Sequence, residues 1–169
     1  MLKKILVPNF MVTSVADIDL ARLRKLGVRG ILLDFDNTLV RWNGSSLPNA
    51  IAKWVKAAKE AGFSLCIVSN AITRRLERVA KRLGIPFVPQ ACKPSPIGIY
   101  RALKRLCLQA YEAVMVGDQL FTDVLAGNCS GLHTVLVRPP KLYEQWWMKG
   151  VRYLENLITK YTPRLQAAC

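Results

Sequence analysis

Arg29-Gly30-Ile31-Leu32-Leu33-Asp34-Phe35-Asp36-Asn37-Thr38-Leu39-Val40 is the stretch whose reading decides the fold. Ile31 to Leu33 form a continuous apolar run, the pattern of a central parallel strand covered on both faces. Two carboxylates follow at once. Asp34 and Asp36 are separated by one residue, so on an extended chain they point the same way. Like charges that close are unfavourable unless a cation or a shared proton relieves them. The carboxyl end of a strand in an open α/β sheet is where ligands bind. Taken alone, the pair is also ordinary strand-to-turn chemistry, in which Asp and Asn cap the backbone locally. The rest of the chain has to decide.

Working outward, strands alternate with helices. Residues 1–16 read as irregular, interrupted by Pro8 and Asn9. A helix is expected over Asp17 to Leu26, stopped by Gly27. After the first strand, Arg41 to Pro48 is turn chemistry, and Pro48 opens a helix to Ala61. Phe63 to Val68 reads as a second buried strand, ending in Ser69-Asn70. Thr73 to Leu83 reads as an amphipathic helix. Leu76, Val79, Ala80 and Leu83 form its apolar stripe, and Arg74, Arg75, Arg78, Lys81 and Arg82 its solvated side. Phe87-Val88 is a short third strand. Lys93-Pro94-Ser95-Pro96 then leads into a helix ending near Leu106. Ala113 to Val116 is the fourth strand, followed by Gly117-Asp118 and a brief helix over Thr122 to Ala126. His133 to Val137 is the fifth. A last helix, about Leu142 to Tyr161, carries Trp146 and Trp147. The expectation is an α/β fold: one Rossmann-like domain over residues 1–169, with its core at about 17–140. It has a parallel sheet of about five strands and helices on both faces.

Composition bounds the partners. The chain has 169 residues and is 51% hydrophobic, enough for one compact core. Lys and Arg number 25 against 11 Asp and Glu, a formal charge of +14. That excess favours anionic partners: nucleic acid, a phospholipid surface or a phosphorylated substrate. Five cysteines, Cys66, Cys92, Cys107, Cys129 and Cys169, with no C-x-x-C and a lone His133, exclude zinc-finger spacing. Reduced thiols in a cytosolic protein fit that pattern. The start lacks the apolar length of a signal peptide, and no run of about 18 apolar residues suggests a membrane span.

Four polar groups recur at the carboxyl ends of successive strands: Asp34 and Asp36, Ser69 and Asn70, Lys93, and Asp118 with Asp123. Each alone is a cap, a turn or a surface lysine. Together they form a site for a hard divalent cation and an anion, since Mg²⁺ prefers oxygen ligands and keeps several waters. In order, the chain carries Asp34-Phe35-Asp36-Asn37-Thr38, Ile67-Val68-Ser69-Asn70, Lys93-Pro94 and Gly117-Asp118-Gln119-Leu120-Phe121-Thr122-Asp123. This series resembles the haloacid dehalogenase superfamily of phosphohydrolases. That family's pattern is D-x-D-x-T, a strand-end Ser or Thr, a Lys, then G-D-x-x-x-[TS]-D.

The resemblance implies a role for each residue. Asp34 would attack phosphorus and become an aspartyl phosphate. Asp36 would act as general acid and base, with its backbone carbonyl on Mg²⁺. Thr38 would support the loop at the substrate side. Ser69 would donate to a phosphoryl oxygen, with Asn70 beside it. Lys93 would neutralise nucleophile and phosphate. Asp118 would bind Mg²⁺, and Asp123 would hold either the metal's water shell or Lys93.

The 33 positions from Asp36 to Ser69 and the 24 from Ser69 to Lys93 are filled by core elements, so neither gap holds a cap domain. Within the capless subclass III, the motif phrases are similar to the YqeG-like group, related to phosphatidylglycerophosphatases. One departure is Cys129, where that group leads us to expect arginine after Asn128. The resemblance implies a Mg²⁺-dependent phosphatase making phosphatidylglycerol from phosphatidylglycerophosphate. It would be cytoplasmic or peripheral on the inner membrane face, with Trp146 and Trp147 as candidate interfacial residues. Two alternatives stay open: a phosphatase of nucleotides or phosphorylated nucleic-acid ends, and a non-catalytic basic scaffold binding RNA or protein.

Overall fold

The computed structural model describes residues 5–41 and 46–138. The expected helix at about 142–161, with Trp146 and Trp147, lies outside the described residues. So does Cys169.

Among the described residues, the apolar stretches form six parallel strands. They are β1 (Phe10–Val12), β2 (Gly30–Leu33), β3 (Ser64–Val68), β4 (Phe87–Val88), β5 (Ala113–Gly117) and β6 (His133–Val137). Their order across the sheet is β1-β6-β5-β2-β3-β4. The chain therefore moves from β2 outward through β3 and β4, then crosses back to β5 and β6 on the other side. The reversal falls between β2 and β5, the kind of crevice where open α/β sheets bind ligands. Asp34 follows β2 and Asp118 follows β5, one on each side of it.

The sheet has one strand more than the sequence suggests. β1 is three residues long and, among the described residues, lies at an edge and pairs with β6, from Phe10↔Val135 to Val12↔Val137. Asn9 clasps the start of β6: its N–H donates to Thr134 Oγ1 at 3.2 Å, and its Oδ1 accepts from the Thr134 N–H at 2.8 Å. The Asn128 side chain donates to the carbonyls of Ile5 and Val7 and accepts from Thr134 Oγ1. Asn128 thus ties down the N-terminal segment at the amino end of β6, the rim opposite the β2/β5 crevice.

Among the described residues, α1 (Leu20–Lys25), α2 (Asn49–Glu60), α3 (Arg74–Leu83), α4 (Ile97–Leu106) and α5 (Leu125–Cys129) cover the sheet. Alternation along β2 divides the core. Ile31 and Leu33 join Leu23, Trp54, Val55, Leu76 and Val79 from α1, α2 and α3. Leu32 joins Cys66, Ile99, Leu103 and Ala126 on the α4 and α5 face. All four β2 residues are buried, and each large aliphatic side chain so buried contributes about 1.5–3 kcal/mol. Asp19 caps α1 by accepting from the N–H groups of Ala21 and Arg22, and Thr73 caps α3 by accepting from that of Leu76. The Trp54 indole donates to the Ile18 carbonyl at 3.0 Å.

Among the described residues, the segment from Asp36 to Ser69 holds α2 and β3, and that from Ser69 to Lys93 holds α3 and β4. No helix among them is long and apolar enough to cross a membrane. The four described cysteines are unbridged, and burial pushes the Cys66 thiol up to about 12.

Candidate active site

The site starts where β2 stops. Asp34 is still tied to the sheet, its N–H donating to the Val116 carbonyl at 2.8 Å. The chain then turns tightly. Asn37 takes a positive φ of 60° and donates from its N–H to the Val40 carbonyl at 2.7 Å. Leu39 and Val40 donate back to the Phe35 carbonyl. This loop leaves Asp34 and Asp36 on an open cleft of about 260 Å³, whose other walls are Ser69, Asn70, Ala71, Lys93, Gln119 and Thr122. Thr38 turns the other way: it is 4% exposed, does not line the cleft, and its Oγ1 has no hydrogen-bond partner among the described residues.

Lys93 is the centre of the polar network. Its Nζ donates to Asp34 Oδ1 and to Asp123 Oδ1, both at 2.6 Å, and to the Val68 carbonyl at 2.9 Å. Those three acceptors come from the ends of β2 and β3 and from the turn after β5. The backbone carrying Lys93 is held by Asn70, which accepts from its N–H at 2.7 Å and donates to its carbonyl at 3.0 Å. Asn70 therefore positions Lys93 as well as lining the cleft. Ser69 Oγ accepts from the Ala71 N–H at 3.2 Å, a local turn that keeps the hydroxyl on the rim.

Burial works against the Lys93 charge, but the carboxylates of Asp123 and Asp34 outweigh it and hold its pKa above the usual lysine value. Lys93 is a permanent cation. Burial raises the Asp123 carboxyl, with Lys93 pulling the other way and Asp34 pushing up. Asp36 is also raised, first by burial and then by Asp34, against the pull of Arg75 and Lys93.

The turn after β5 has its own steric requirement. A Cβ at Gly117 would lie 2.2 Å from Asp123 Oδ2 and 2.3 Å from its Cγ. Asp123 Oδ2 meanwhile accepts from the Gln119 N–H at 3.1 Å. Gly117→Ala must displace Asp123, and Lys93 with it. It should lower turnover more than tenfold and destabilise the fold by about 1–3 kcal/mol, the usual cost of overpacking. Calorimetry and phosphate release on the purified variant check both; wild-type values would show that the turn relaxes freely.

Ligand atoms of Asp34, Asp118 and Asp123, all buried, lie within 4.8 Å of one another. Three carboxylates face one ammonium, so the cluster carries an excess of negative charge. The donors are hard oxygens. Such a set fits a divalent cation that prefers oxygen, in a position to touch an anion in the cleft.

The structure thus brings Asp34, Lys93, Asp118 and Asp123 into one cluster, with Asp36, Ser69 and Asn70 on its open side. Of the two partners considered for Asp123, the geometry places it on Lys93. One residue of the basic face of α3 makes a contact that the sequence does not specify. Arg75, in the first turn of α3, pairs through Nη2 with Asp36 Oδ1.

A haloacid dehalogenase-like hydrolase model matches residues 42–131 of the chain. The probable phosphatase YqeG of Bacillus subtilis is 40% identical over 158 residues, covering 94% of this chain and 92% of its own. The chloroplastic/mitochondrial phosphatidylglycerophosphate phosphatase 1 of Arabidopsis thaliana is 26% identical over 175 residues. That match takes in 94% of this chain but only about half, 48%, of the plant protein. In backbone shape, the chain is similar to the cobalt-bound deoxy-D-mannose-octulosonate 8-phosphate phosphatase of Haemophilus influenzae. The TM-score is 0.53 at 16% identity, over 79% of this chain and 89% of the other.

Proposed function

Because this chain belongs to the haloacid dehalogenase-like hydrolases, and within them to the phosphatases, we propose that it hydrolyses a phosphomonoester through an aspartyl phosphate on Asp34. The observation that carries this reading is the buried Lys93 ammonium, 2.6 Å from both Asp34 and Asp123 beside an open cleft. A carboxylate fixed by a permanent cation at the mouth of a cleft is poised to meet phosphorus, and the cation offsets charge as the phosphoryl group arrives.

The two chemical steps balance on residues of this chain. In the first, a carboxylate oxygen of Asp34 forms a bond to phosphorus. The bond from phosphorus to the ester oxygen breaks, and Asp36 donates a proton to that oxygen. Burial raises the Asp36 carboxyl above its ordinary value, the direction that suits a proton donor. In the second, water attacks phosphorus, Asp36 takes its proton, and the acyl phosphate bond breaks to release phosphate and restore Asp34. Lys93 stays charged throughout, and Ser69 and Asn70 lie where phosphoryl oxygens would be received. Asp34 and Asp118, with the Asp36 carbonyl and Asp123 in support, would hold Mg²⁺, which supplies further charge neutralisation at the phosphoryl oxygens.

For the substrate we favour phosphatidylglycerophosphate. The support is the open cleft, the absence of a cap among the described residues, the basic charge, and the relatedness to a phosphatase named for that lipid. A lipid headgroup in a membrane surface cannot be enclosed, so an uncovered site suits it.

A phosphate-release screen tests both levels. With Mg²⁺ present, phosphatidylglycerophosphate in mixed micelles should be turned over faster than nucleotides, 3′- or 5′-phosphorylated oligonucleotides and sugar phosphates, and EDTA should abolish the activity. Full turnover after EDTA treatment would end the metal reading. Fastest release from nucleotides or oligonucleotides would replace the lipid by nucleic-acid phosphates. RNA binding with no phosphate release from any compound would restore the scaffold alternative.

A further inference from the structure

We propose that Arg75 is a positioning residue for the proton-transfer step, holding Asp36 at the angle from which it reaches the departing ester oxygen. The proposal rests on the reading of Asp36 as the proton donor. Arg75 stands in the first turn of α3, far from Asp36 in sequence, yet it makes three contacts with the short loop after β2. Nη2 donates to Asp36 Oδ1. Nη1 donates to the Arg41 carbonyl at 3.4 Å. The guanidinium lies over the Phe35 ring, 5.1 Å from its centroid. One planar cation thus reaches residues 35, 36 and 41 of the loop.

The arrangement differs from what a substrate-binding arginine requires. Asp36 lines the cleft, whereas Arg75 is not among the cleft-lining residues. The pair is shielded, with side chains 21% and 15% exposed, so it is not a screened surface ion pair of negligible effect. The rest of the loop is fixed mainly by its own backbone, through the Asn37 to Val40 hydrogen bond and those from Leu39 and Val40 to Phe35. Those bonds hold the main chain and leave the Asp36 side chain to be oriented. A guanidinium fork bonded to the carboxylate and stacked on the neighbouring ring supplies that orientation.

A positioned acid matters only when the departing oxygen needs a proton. An alkoxide does; p-nitrophenolate, a stable anion, does not. The test is the specificity constant, kcat/KM, of the full-length protein with Mg²⁺ for two probes, n-butyl phosphate and p-nitrophenyl phosphate. This constant reports the steps up to cleavage of the ester and so excludes the later hydrolysis that both probes share. In Arg75→Gln, the ratio of butyl to nitrophenyl kcat/KM should fall about tenfold or more. Arg75→Lys, which keeps the charge but loses the fork, should fall between it and wild type. Asp36→Asn should lower the same ratio further, toward the 10²–10⁴-fold worth of a general acid.

Equal losses on both probes in the Arg75 variants, with a leaving-group-dependent loss in Asp36→Asn, would overturn the proposal: Arg75 would then only stabilise the loop. Equal losses in Asp36→Asn would instead remove Asp36 from the proton-donor role, and the function of Arg75 with it. Should Arg75→Gln fail to fold, Arg75→Lys carries the comparison alone, and an unchanged ratio there overturns the proposal.

Discussion

Asp34→Asn should lower kcat by roughly 10⁴-fold or more, the scale of loss when a covalent nucleophile is removed. The amide that replaces the carboxylate cannot form the bond to phosphorus, and no neighbouring carboxylate can substitute. Asp123 is 1% exposed and paired with Lys93, and Asp118 is fully buried. Asp36 is bonded to Arg75 and lies past the end of the strand. The fold should survive. The amide oxygen can still accept from Lys93 Nζ, Lys93 retains Asp123, and β2 keeps its register with β3 and β5. The variant should therefore melt within a few degrees of wild type and still bind inorganic phosphate. Kinetics and calorimetry on the same preparation check this. Turnover within a few-fold of wild type would show that Asp34 is not the nucleophile.

Lys93→Met should damage both activity and stability. Lys93 is 6% exposed and is the ammonium between Asp34 and Asp123. Methionine fills similar volume but leaves two carboxylates with their shared cation gone. Breaking a buried ion pair by removing one partner costs about 3–5 kcal/mol. At about 2–4 °C per kcal/mol for a chain of this size, Tm should drop by roughly 6–20 °C. Turnover should fall at least about 10²-fold, the lower range for removing one electrostatic contact to the transition state. A divalent cation bound by the remaining carboxylates would replace part of the lost charge. Added Mg²⁺ should then raise the Tm of the variant more than that of wild type, by mass action on the folded state. An unchanged Tm and a normal rate would mean that the network around Lys93 has been misread.

Much of this was legible in the sequence because the signals were local. Ile31 to Leu33 have the pattern of a doubly covered strand, and each polar motif sits where an apolar run ends. The expected strand at residues 63–68 and helix at 73–83 differ from the structure by a single end residue. What escaped was set by tertiary contact. β1 has three residues between Pro8-Asn9 and Thr13-Ser14, too short and too punctuated to read as a strand. It exists because β6 offers an edge and Asn9 clasps Thr134. The pairing of Arg75 with Asp36 is of the same kind, since periodicity places Arg75 on the solvated face of α3 and says nothing of what lies across from it. The available signal was its position. The first turn of a helix that follows a motif-bearing strand stands at the site rim, and helical side chains lean toward the N-terminus. The choice between water shell and Lys93 for Asp123 depended on how the turn after β5 packs on Gly117, which no spacing rule specifies.

The central claim is that phosphate passes through Asp34. The most direct measurement is to mix the protein with a good phosphomonoester and Mg²⁺, quench within the first turnover, and reduce with borohydride. That reagent converts an acyl phosphate to the corresponding alcohol. Peptide mass spectrometry then locates the product. The prediction is homoserine in the peptide that carries residue 34, in a yield that rises and falls with the time of quench and disappears without substrate. Reduction product at another carboxylate, or none while phosphate is being released, would contradict it.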